Sequence, residues 1–152
     1  MHGLNVKGIL VSVLNSIYNE KILHYAGNIS RIGKLEDYDG EAKLTSRICG
    51  SSISVQLKIT DDKVVDYAHE IKSCALGQES AAIMAEIIIG KNTDELLSLR
   101  DQMHLFLKEN GPSPDSDFKA FHCLEPVREY KNRISSTLMP MDAVALAIIK
   151  AQ

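Results

Sequence analysis

The middle of the chain alternates apolar and polar residues as the strands of a half-buried sheet do. In residues 53–59 every odd position is apolar and every even position is polar, which is the period of a strand with one solvated face. A second alternation over residues 65–71, beginning with Val65, follows a polar turn at residues 60–63. A weaker alternation precedes both at residues 40–48. The pattern predicts a three-stranded antiparallel meander.

Helical spacing of apolar residues surrounds this meander. Apolar positions recur every three or four residues in several stretches, and glycine or proline marks most of their ends. The predicted helices cover residues 9–26, the stretch from Ser73 to Gly90, the stretch from Thr93 to Leu107, and residues 141–150 after a bend at Pro140, with a short segment at 124–130. We therefore expect a single α+β domain of residues 1–152, with the meander packed against about four to five helices.

Composition and charge limit the kinds of molecule that we expect this chain to bind. The 152 residues are 45% hydrophobic and 24% charged, which is ordinary for a globular protein. The formal net charge is −3 and no Lys/Arg run exceeds two residues, which argues against binding to nucleic acid or to anionic membranes. No apolar segment reaches the ~18 residues of a membrane span, and the first residues lack the pattern of a signal peptide. We expect a cytoplasmic protein with no nucleic-acid or membrane partner.

Three cysteines carry the clearest chemical signal. Cys49, Cys74 and Cys123 are odd in number and widely spaced, which argues for reduced thiols and against a disulfide framework. Cys49 lies in the predicted turn between the first two strands. Cys74 follows the third strand at the start of a helix, with Ser73 as the expected N-cap. In an antiparallel meander both points lie at the same end of the sheet, so these two thiols should approach each other.

Two interpretations of these thiols remain open at this point. A thiol at a helix N-terminus has a lowered pKa because the dipole favours the thiolate, and converging thiolates suit a soft metal, an iron–sulfur cluster or transferred sulfur. Alternatively, each cysteine packs as a small apolar residue. The other chemistry is weak: the histidines share no metal-ligand spacing, and His69 fits a structural role on its strand. No phosphate loop or Ser/His/Asp set indicates a nucleotide enzyme or a hydrolase.

Four motifs resemble the iron–sulfur scaffold family of NifU, IscU and SufU. They are YNEKILHYAGNISRIG at residues 18–33, the Cys49-Gly50-Ser51 turn, SCALGQESAAIMAE at 73–86 and GKNTDEL at 90–96. The resemblance extends over residues 17–150. It implies the fold of that family and a role in cluster assembly, in which a cysteine desulfurase supplies sulfur and recipient apo iron–sulfur proteins take the finished cluster.

The resemblance also implies a set of ligands, from which this chain departs. Cys49 and Cys74 match two cysteines of the family, which hold iron or a labile two-iron cluster, and zinc can occupy the site in purified protein. Ser51 stands where the family has an aspartate, and a hydroxyl is a poorer ligand than a carboxylate. Cys123 is expected to serve as a third ligand if it swings in from its loop.

The position of the third family cysteine depends on the alignment. When residues 142–143 are aligned with the last helix of the family, Ser135 or Ser136 stands at that position, as a doubtful ligand. A second alignment pairs the His-Cys dipeptide at residues 122–123 with the family's His-Cys dipeptide. The LEPVR motif at 124–128 resembles a family motif that precedes this dipeptide, so it favours the first alignment.

Three functional hypotheses follow from the resemblance. The first is a non-enzymatic cluster assembly scaffold that uses Cys49 and Cys74. The second is a sulfur acceptor like SufE, in which Cys49 carries a persulfide in a transferase-like step. The third is a family member that only binds partners, which Ser51 and Ser135 or Ser136 would support.

Overall fold

The computed structural model describes residues 28–47, 50–114 and 116–152. The strands are β1 (Gly40–Thr45), β2 (Ser52–Thr60) and β3 (Lys63–Lys72). The helices are α1 (Ala75–Ile87), α2 (Thr93–Lys108) and α3 (Lys131–Ala151), and a 3-10 segment covers Ser116–Glu129. The predicted helix over residues 9–26 lies outside the described residues, and so does Cys49.

The three strands form the predicted antiparallel meander, in the order β1-β2-β3. Ala42 pairs with Val55, and Val55 pairs with His69, so these three side chains share the face of the sheet that is buried against the helices. Asp61 and Asp62 turn the chain between β2 and β3, and both have the positive φ of a tight hairpin turn. The α+β class predicted from the sequence is confirmed.

The alternation predicted for β3 is wrong at its first position. Val64 is fully buried, whereas Val65 is 46% exposed. Asp66 pairs with Lys58 and Val64 pairs with Ile59, so Val65 is an extra residue in a β-bulge. The bulge shifts the alternation of buried and exposed side chains by one residue. The alternation of apolar and polar residues in the sequence does not reveal such a shift.

The free edge of β3 is covered by residues that precede the sheet. Ile32 forms a parallel bridge to His69, through a backbone hydrogen bond of 3.0 Å from the His69 N–H to the Arg31 carbonyl. The His69 ring is fully buried, and its Nε2 lies 2.8 Å from the Ser30 carbonyl oxygen. Burial lowers the pKa of His69 more than this hydrogen bond raises it. His69 is therefore a neutral, structural residue.

Helix α3 forms the centre of the packing, with α1, α2, β1 and β2 all in contact with it. By length and composition it is apolar enough to cross a membrane, but 67% of its most apolar window is buried within the protein. That burial is typical of the core helix of a globular protein. Gly40 at the start of β1 approaches the α3 backbone so closely that an added Cβ would lie 2.1 Å from the Ala147 carbonyl oxygen.

The predicted start of the last helix at residue 141 is wrong, and the bend at Pro140 stays a prediction. Helix α3 begins ten residues earlier, at Lys131, and Pro140 lies within it. Proline has no N–H to donate, so the Ser136 carbonyl loses its usual helical partner. The helix is buried on both sides of the proline. It also accepts a hydrogen bond from another helix there, since the Ser80 hydroxyl of α1 donates to the Thr137 carbonyl at 2.7 Å.

The other helix ends agree better with the sequence. Helix α2 begins at Thr93 as predicted, where Asn92 and Glu95 form a capping box. Helix α1 ends at Ile87, three residues before the predicted stop at Gly90. The short segment predicted at residues 124–130 is the second half of the longer 3-10 segment.

Candidate functional site

The end of β3 and the turn between β1 and β2 lie at the same end of the sheet. Ser52, the first residue of β2, pairs with Lys72, the last residue of β3. The turn is closed by backbone hydrogen bonds from Ser46 to Ser51 at 2.7 Å and from Gly50 to Ser46 at 2.9 Å. The side chain of Ser46 also lies 3.1 Å from that of Ser135 in α3. These contacts place the turn beside the N-terminal halves of α1 and α3.

Cys74 is the N-cap residue of α1, and the Ser73 N-cap predicted from the sequence is wrong. Cys74 has extended backbone angles, and its side chain makes no capping hydrogen bond. Partial burial raises the pKa of the Cys74 thiol, but the Gly77 backbone N–H and the Ser136 hydroxyl, with smaller contributions from Leu76 and Ser73, lower it by more. The pKa therefore lies below its ordinary value, and the thiolate is favoured.

Three serine hydroxyls line the approach to this thiol. The Cys74 Sγ lies 3.6 Å from the Ser136 Oγ and 4.0 Å from the Ser73 Oγ. The Ser73 hydroxyl also donates to the Ser51 Oγ at 3.1 Å. Ser51 and Ser136, the two residues expected at family ligand positions, are thus brought to the same side of α1 as Cys74.

Gly77 makes room for this arrangement. A Cβ added at Gly77 would lie 1.9 Å from the Ser73 Oγ and 2.8 Å from the Ser73 Cβ. Only glycine therefore allows the Ser73 side chain to fold back over the first turn of α1, where it reaches Ser51 and Cys74.

An open cavity of about 230 Å³ leads to the thiol. It is lined by Gly50, Ser51, Lys72, Ser73, Cys74 and Arg133. Cys49 lies outside the described residues, so the approach of its thiol to Cys74 stays a prediction. The two residues that follow it in the sequence, Gly50 and Ser51, are part of the cavity wall.

Cys123 has different neighbours. It lies on the 3-10 segment, where its thiol donates to the Glu79 Oε1 at 3.0 Å and approaches the Ala120 carbonyl oxygen at 3.2 Å. Glu79 is fully buried on α1. Burial raises the pKa of its carboxyl to about 7, and the bond from Cys123 offsets part of that rise. The role of Cys123 as a third ligand stays a prediction, and the described side chains in contact with the Cys74 thiol are those of Ser73 and Ser136.

The sequence pattern did not reveal several of these residues. Lys72 and Ser73 directly precede Cys74 in the sequence but were not singled out as cavity residues. Arg133 could not be, because its proximity to Cys74 depends on how α3 packs. The sequence contains no clear signal for Glu79, because the polar residues Gln78 and Ser80 flank it and the same helix has a second carboxylate at Glu86. Within the described ranges, no three His, Cys, Asp or Glu side chains are grouped closely enough to hold a metal ion.

Comparisons with known proteins agree on one family. Residues 17–115 match the profile of the family described as NifU-like N terminal domain. The chain is 27% identical over 138 residues to the iron–sulfur cluster assembly scaffold protein IscU of Thermotoga maritima, covering 91% of this chain and 96% of that protein. It is 22% identical over 139 residues to the zinc-dependent sulfurtransferase SufU of Bacillus subtilis, covering 91% and 94%.

Solved structures give the same result for the fold. The crystal structure of a nitrogen-fixing NifU-like protein (N-terminal) from Brucella abortus matches with a TM-score of 0.89 and 48% identity, covering 91% of this chain and 96% of that one. A scaffold protein of the SUF system from Fervidobacterium islandicum matches with a TM-score of 0.79 at 24% identity, covering 88% and 98%, which shows similarity of fold alone.

Proposed function

The chain belongs to the family of NifU-like N-terminal domains, and on that premise we propose that it acts as a scaffold in iron–sulfur cluster assembly. Relatives that span most of this chain are named as scaffolds of that kind. The observation that carries the proposal is the position of the Cys74 thiol, at the N-terminus of α1 and in the wall of an open cavity.

The cargo in this proposal is iron and sulfide, which bind together as a two-iron cluster. Thiolates are the usual ligands of such clusters, and Cys74 and Cys49 would supply two of them. Ser51 and Ser136 are at the positions where the family resemblance implies an aspartate and a cysteine. Both of those residues bind metal more strongly than a hydroxyl does. A cluster held by fewer strong ligand bonds dissociates more readily. This suits a protein that passes its cluster to recipient apoproteins.

A resident zinc ion does not fit these residues. Structural zinc sites use four Cys, His or carboxylate ligands, and catalytic sites use three. Among the described residues around the cavity, Cys74 is the one ligand of this kind, and Cys49 would raise the number to two. The name of the Bacillus subtilis relative indicates zinc for that protein, but we assign no step in this chain to zinc.

Sulfur would come from a cysteine desulfurase. A thiolate of this chain attacks the terminal sulfur of the persulfide on that enzyme, and the sulfur–sulfur bond breaks. The desulfurase cysteine leaves as a thiolate, so this transfer balances without an added oxidant or reductant. Conversion of the transferred sulfur to sulfide then takes two electrons from a reductant outside this chain, such as a thiol pair that becomes a disulfide. A cytoplasmic location stays a prediction.

A sulfur carrier is the second candidate function. The hydroxyls at two ligand positions favour it, because a persulfide needs one thiol and no metal ligands. In this role Cys49 would carry the persulfide, as in the SufE type of acceptor. One relative is named as a sulfurtransferase, so an enzymatic role is compatible with the family.

Anaerobic reconstitution with ferrous iron and sulfide tests the scaffold role. We expect visible absorbance in the unaltered protein and its loss in Cys49→Ser and in Cys74→Ser. Cys123→Ala is the matched control, since its thiol contacts Glu79. Absorbance retained in Cys123→Ala would show that Cys123 is not a ligand, whereas its loss would make Cys123 the third ligand.

A second experiment separates the carrier from the scaffold. The protein is incubated with a cysteine desulfurase and cysteine without iron, and persulfides are located by mass spectrometry. A persulfide on Cys49 in a protein that forms no chromophore would support the carrier role. If neither a chromophore nor a persulfide forms, both proposals are wrong and a partner-binding role remains.

A further inference from the structure

A buried carboxyl on α1 contacts a thiol that the proposed function does not use. The 3-10 segment packs against α1 and brings the Cys123 Sγ to 3.0 Å from the Glu79 Oε1. Glu79 has no exposed surface, whereas Cys123 is partly exposed. Cys123 is thus the member of this pair that small solutes can reach from outside.

The second oxygen of this carboxyl is buried without a hydrogen bond. No described group donates to the Glu79 Oε2. A buried polar atom without a partner costs free energy, and an apolar side chain of similar size would fill the same space without that cost. Packing therefore does not account for a carboxyl at this position, and chemistry at the neighbouring thiol does.

The carboxyl has the geometry and the basicity that proton transfer near neutral pH requires. A general base must lie within hydrogen-bond distance of the proton that it removes, and it works best when its pKa is close to the working pH. Burial raises the pKa of Glu79 to about 7, although the bond from Cys123 offsets part of that rise. The thiol already donates to Oε1, so the proton can be transferred without movement of either residue.

The surroundings of the thiol limit the kind of reagent that suits it. The Glu79 carboxylate and the Ala120 carbonyl oxygen, which lies 3.2 Å from the Cys123 Sγ, both repel anions. Partial burial favours small molecules over bulky ones. A reagent whose leaving group must be protonated benefits most, because the proton taken from the thiol can be passed to it. A small uncharged hydroperoxide meets all three requirements.

We propose that Cys123 and Glu79 form a peroxide-reactive site, in which Cys123 is oxidised to a sulfenic acid and Glu79 transfers the proton. The Glu79 carboxylate accepts the thiol proton while the sulfur attacks one oxygen of the peroxide. A sulfur–oxygen bond forms, the oxygen–oxygen bond breaks, and the leaving hydroxide takes the proton from Glu79 to become water. The sulfur loses two electrons and the peroxide gains them, so the step balances. Neither residue lines the cavity at Cys74, and the site does not depend on the scaffold function.

Oxidation by hydrogen peroxide without added metal tests the proposal. The reaction is run at about pH 8, where Glu79 is largely ionised. Sulfenic acid is trapped with dimedone, and the modified Cys123 peptide is quantified by mass spectrometry. We expect Glu79→Gln to slow the oxidation about tenfold or more, because an amide can accept the hydrogen bond of the thiol but cannot remove its proton. Glu86→Gln removes the same charge from an exposed position on α1 and should change the rate by less than about twofold.

A carboxylate without a role in proton transfer would give the opposite result. Negative charge beside a thiol opposes formation of the thiolate, so removing that charge would then speed the oxidation of Cys123. An equal or faster rate in Glu79→Gln therefore overturns the proposal.

Alkylation by iodoacetamide tests the return of the proton, since iodide leaves without one. We expect Glu79→Gln to slow alkylation of Cys123 less than it slows oxidation. Equal slowing of the two reactions would show that Glu79 does not protonate the leaving group, and the proposed path of the proton would be wrong.

The unaltered protein supplies a test that does not depend on the folding of a variant. Oxidation of Cys123 in the native protein is compared with that in concentrated urea, where Glu79 no longer contacts the thiol. We expect the native thiol to react about tenfold faster, although it is less exposed. If the unfolded chain reacts as fast or faster, the contact protects the thiol and the proposal is wrong, while the scaffold function stands.

Discussion

At the scale of single residues, one hydroxyl proton contributes to the protonation state of Cys74. The Ser136 Oγ lies 3.1 Å from the Arg133 carbonyl oxygen and 3.6 Å from the Cys74 Sγ, and it has one proton to donate. A neutral thiol can donate to Ser136 while Ser136 donates to Arg133. A thiolate can only accept, so it draws the hydroxyl proton toward itself and is stabilised by it.

Replacing Ser136 should therefore make the thiolate harder to form. We expect Ser136→Ala to move the midpoint of Cys74 alkylation by iodoacetamide to higher pH, because the thiolate loses a donor. The rate at Cys74 is followed peptide by peptide in mass spectra. Ser135→Ala is the control, since the Ser135 hydroxyl contacts Ser46. An unchanged midpoint in Ser136→Ala would show that the amides of α1 suffice.

A thiol at the same position should strengthen metal binding. Ser136→Cys places a second sulfur beside the Cys74 Sγ, which the native hydroxyl oxygen approaches at 3.6 Å. Because thiolates bind soft metals better than hydroxyls do, we expect cobalt(II) affinity to rise by about tenfold or more. Ser135→Cys is the comparison, and an equal gain there would mean that position relative to Cys74 is unimportant. Competition with a chelator of known affinity gives the measurement.

The sequence predicted part of this site because part of it is local. The change from strand to helix period at residues 73–76 placed Cys74 at a helix start, and the structure agrees. The N-cap was assigned wrongly to Ser73 because its hydroxyl has a better partner in Ser51, which is distant in sequence. Lys72 and Arg133 line the same cavity only because of how α3 packs. No pattern in either segment of the sequence indicates that they lie near each other.

At the scale of elements, errors occurred where packing overrides a local rule. The last helix was expected to start after Pro140, but α3 begins at Lys131 and continues through the proline, with buried apolar residues on both sides of it. Val65 was assigned to the buried face, but a bulge moves it outward. In both cases the local cost is small compared with the apolar surface that the element buries, so tertiary contacts decide.

The contact between β1 and α3 gives a test of this packing. We expect Gly40→Ala to lower the free energy of unfolding by about 1–3 kcal/mol, because the new Cβ would lie 2.1 Å from the Ala147 carbonyl oxygen and one backbone must move. Lys43→Ala on the exposed face of β1 is the control and should stay within about 0.5 kcal/mol. Urea unfolding followed by circular dichroism measures both, and equal effects would contradict the close approach.

At the scale of the whole molecule, the site extends beyond the part that matches the family profile. That match covers residues 17–115, whereas Ser136 and Arg133 belong to α3 near the C-terminal end. The match therefore identifies the fold and the Cys74 helix but not the residues that complete the cavity.

The stability of the whole fold should depend on pH through Glu79. Its carboxyl has an ordinary pKa of 4.5 and a folded pKa of about 7, so the folded protein binds more protons between these values. Stability from this group is therefore greatest below pH 4.5 and is lost as the pH rises through 7, by up to about 3 kcal/mol. His69 acts in the opposite direction, since its lowered pKa removes stability as the pH falls.

Comparing two proteins isolates the Glu79 contribution from that of His69. Glu79→Gln cannot ionise, so its free energy of unfolding should lack the loss between pH 5 and pH 8 that we expect in the unaltered protein. Cys123→Ala removes the thiol that donates to Glu79 and should make that loss larger, because this bond favours the carboxylate. Urea unfolding at several pH values gives the curves. Parallel curves for the unaltered protein and Glu79→Gln would mean that the carboxyl is solvated and not buried at the contact between α1 and the 3-10 segment.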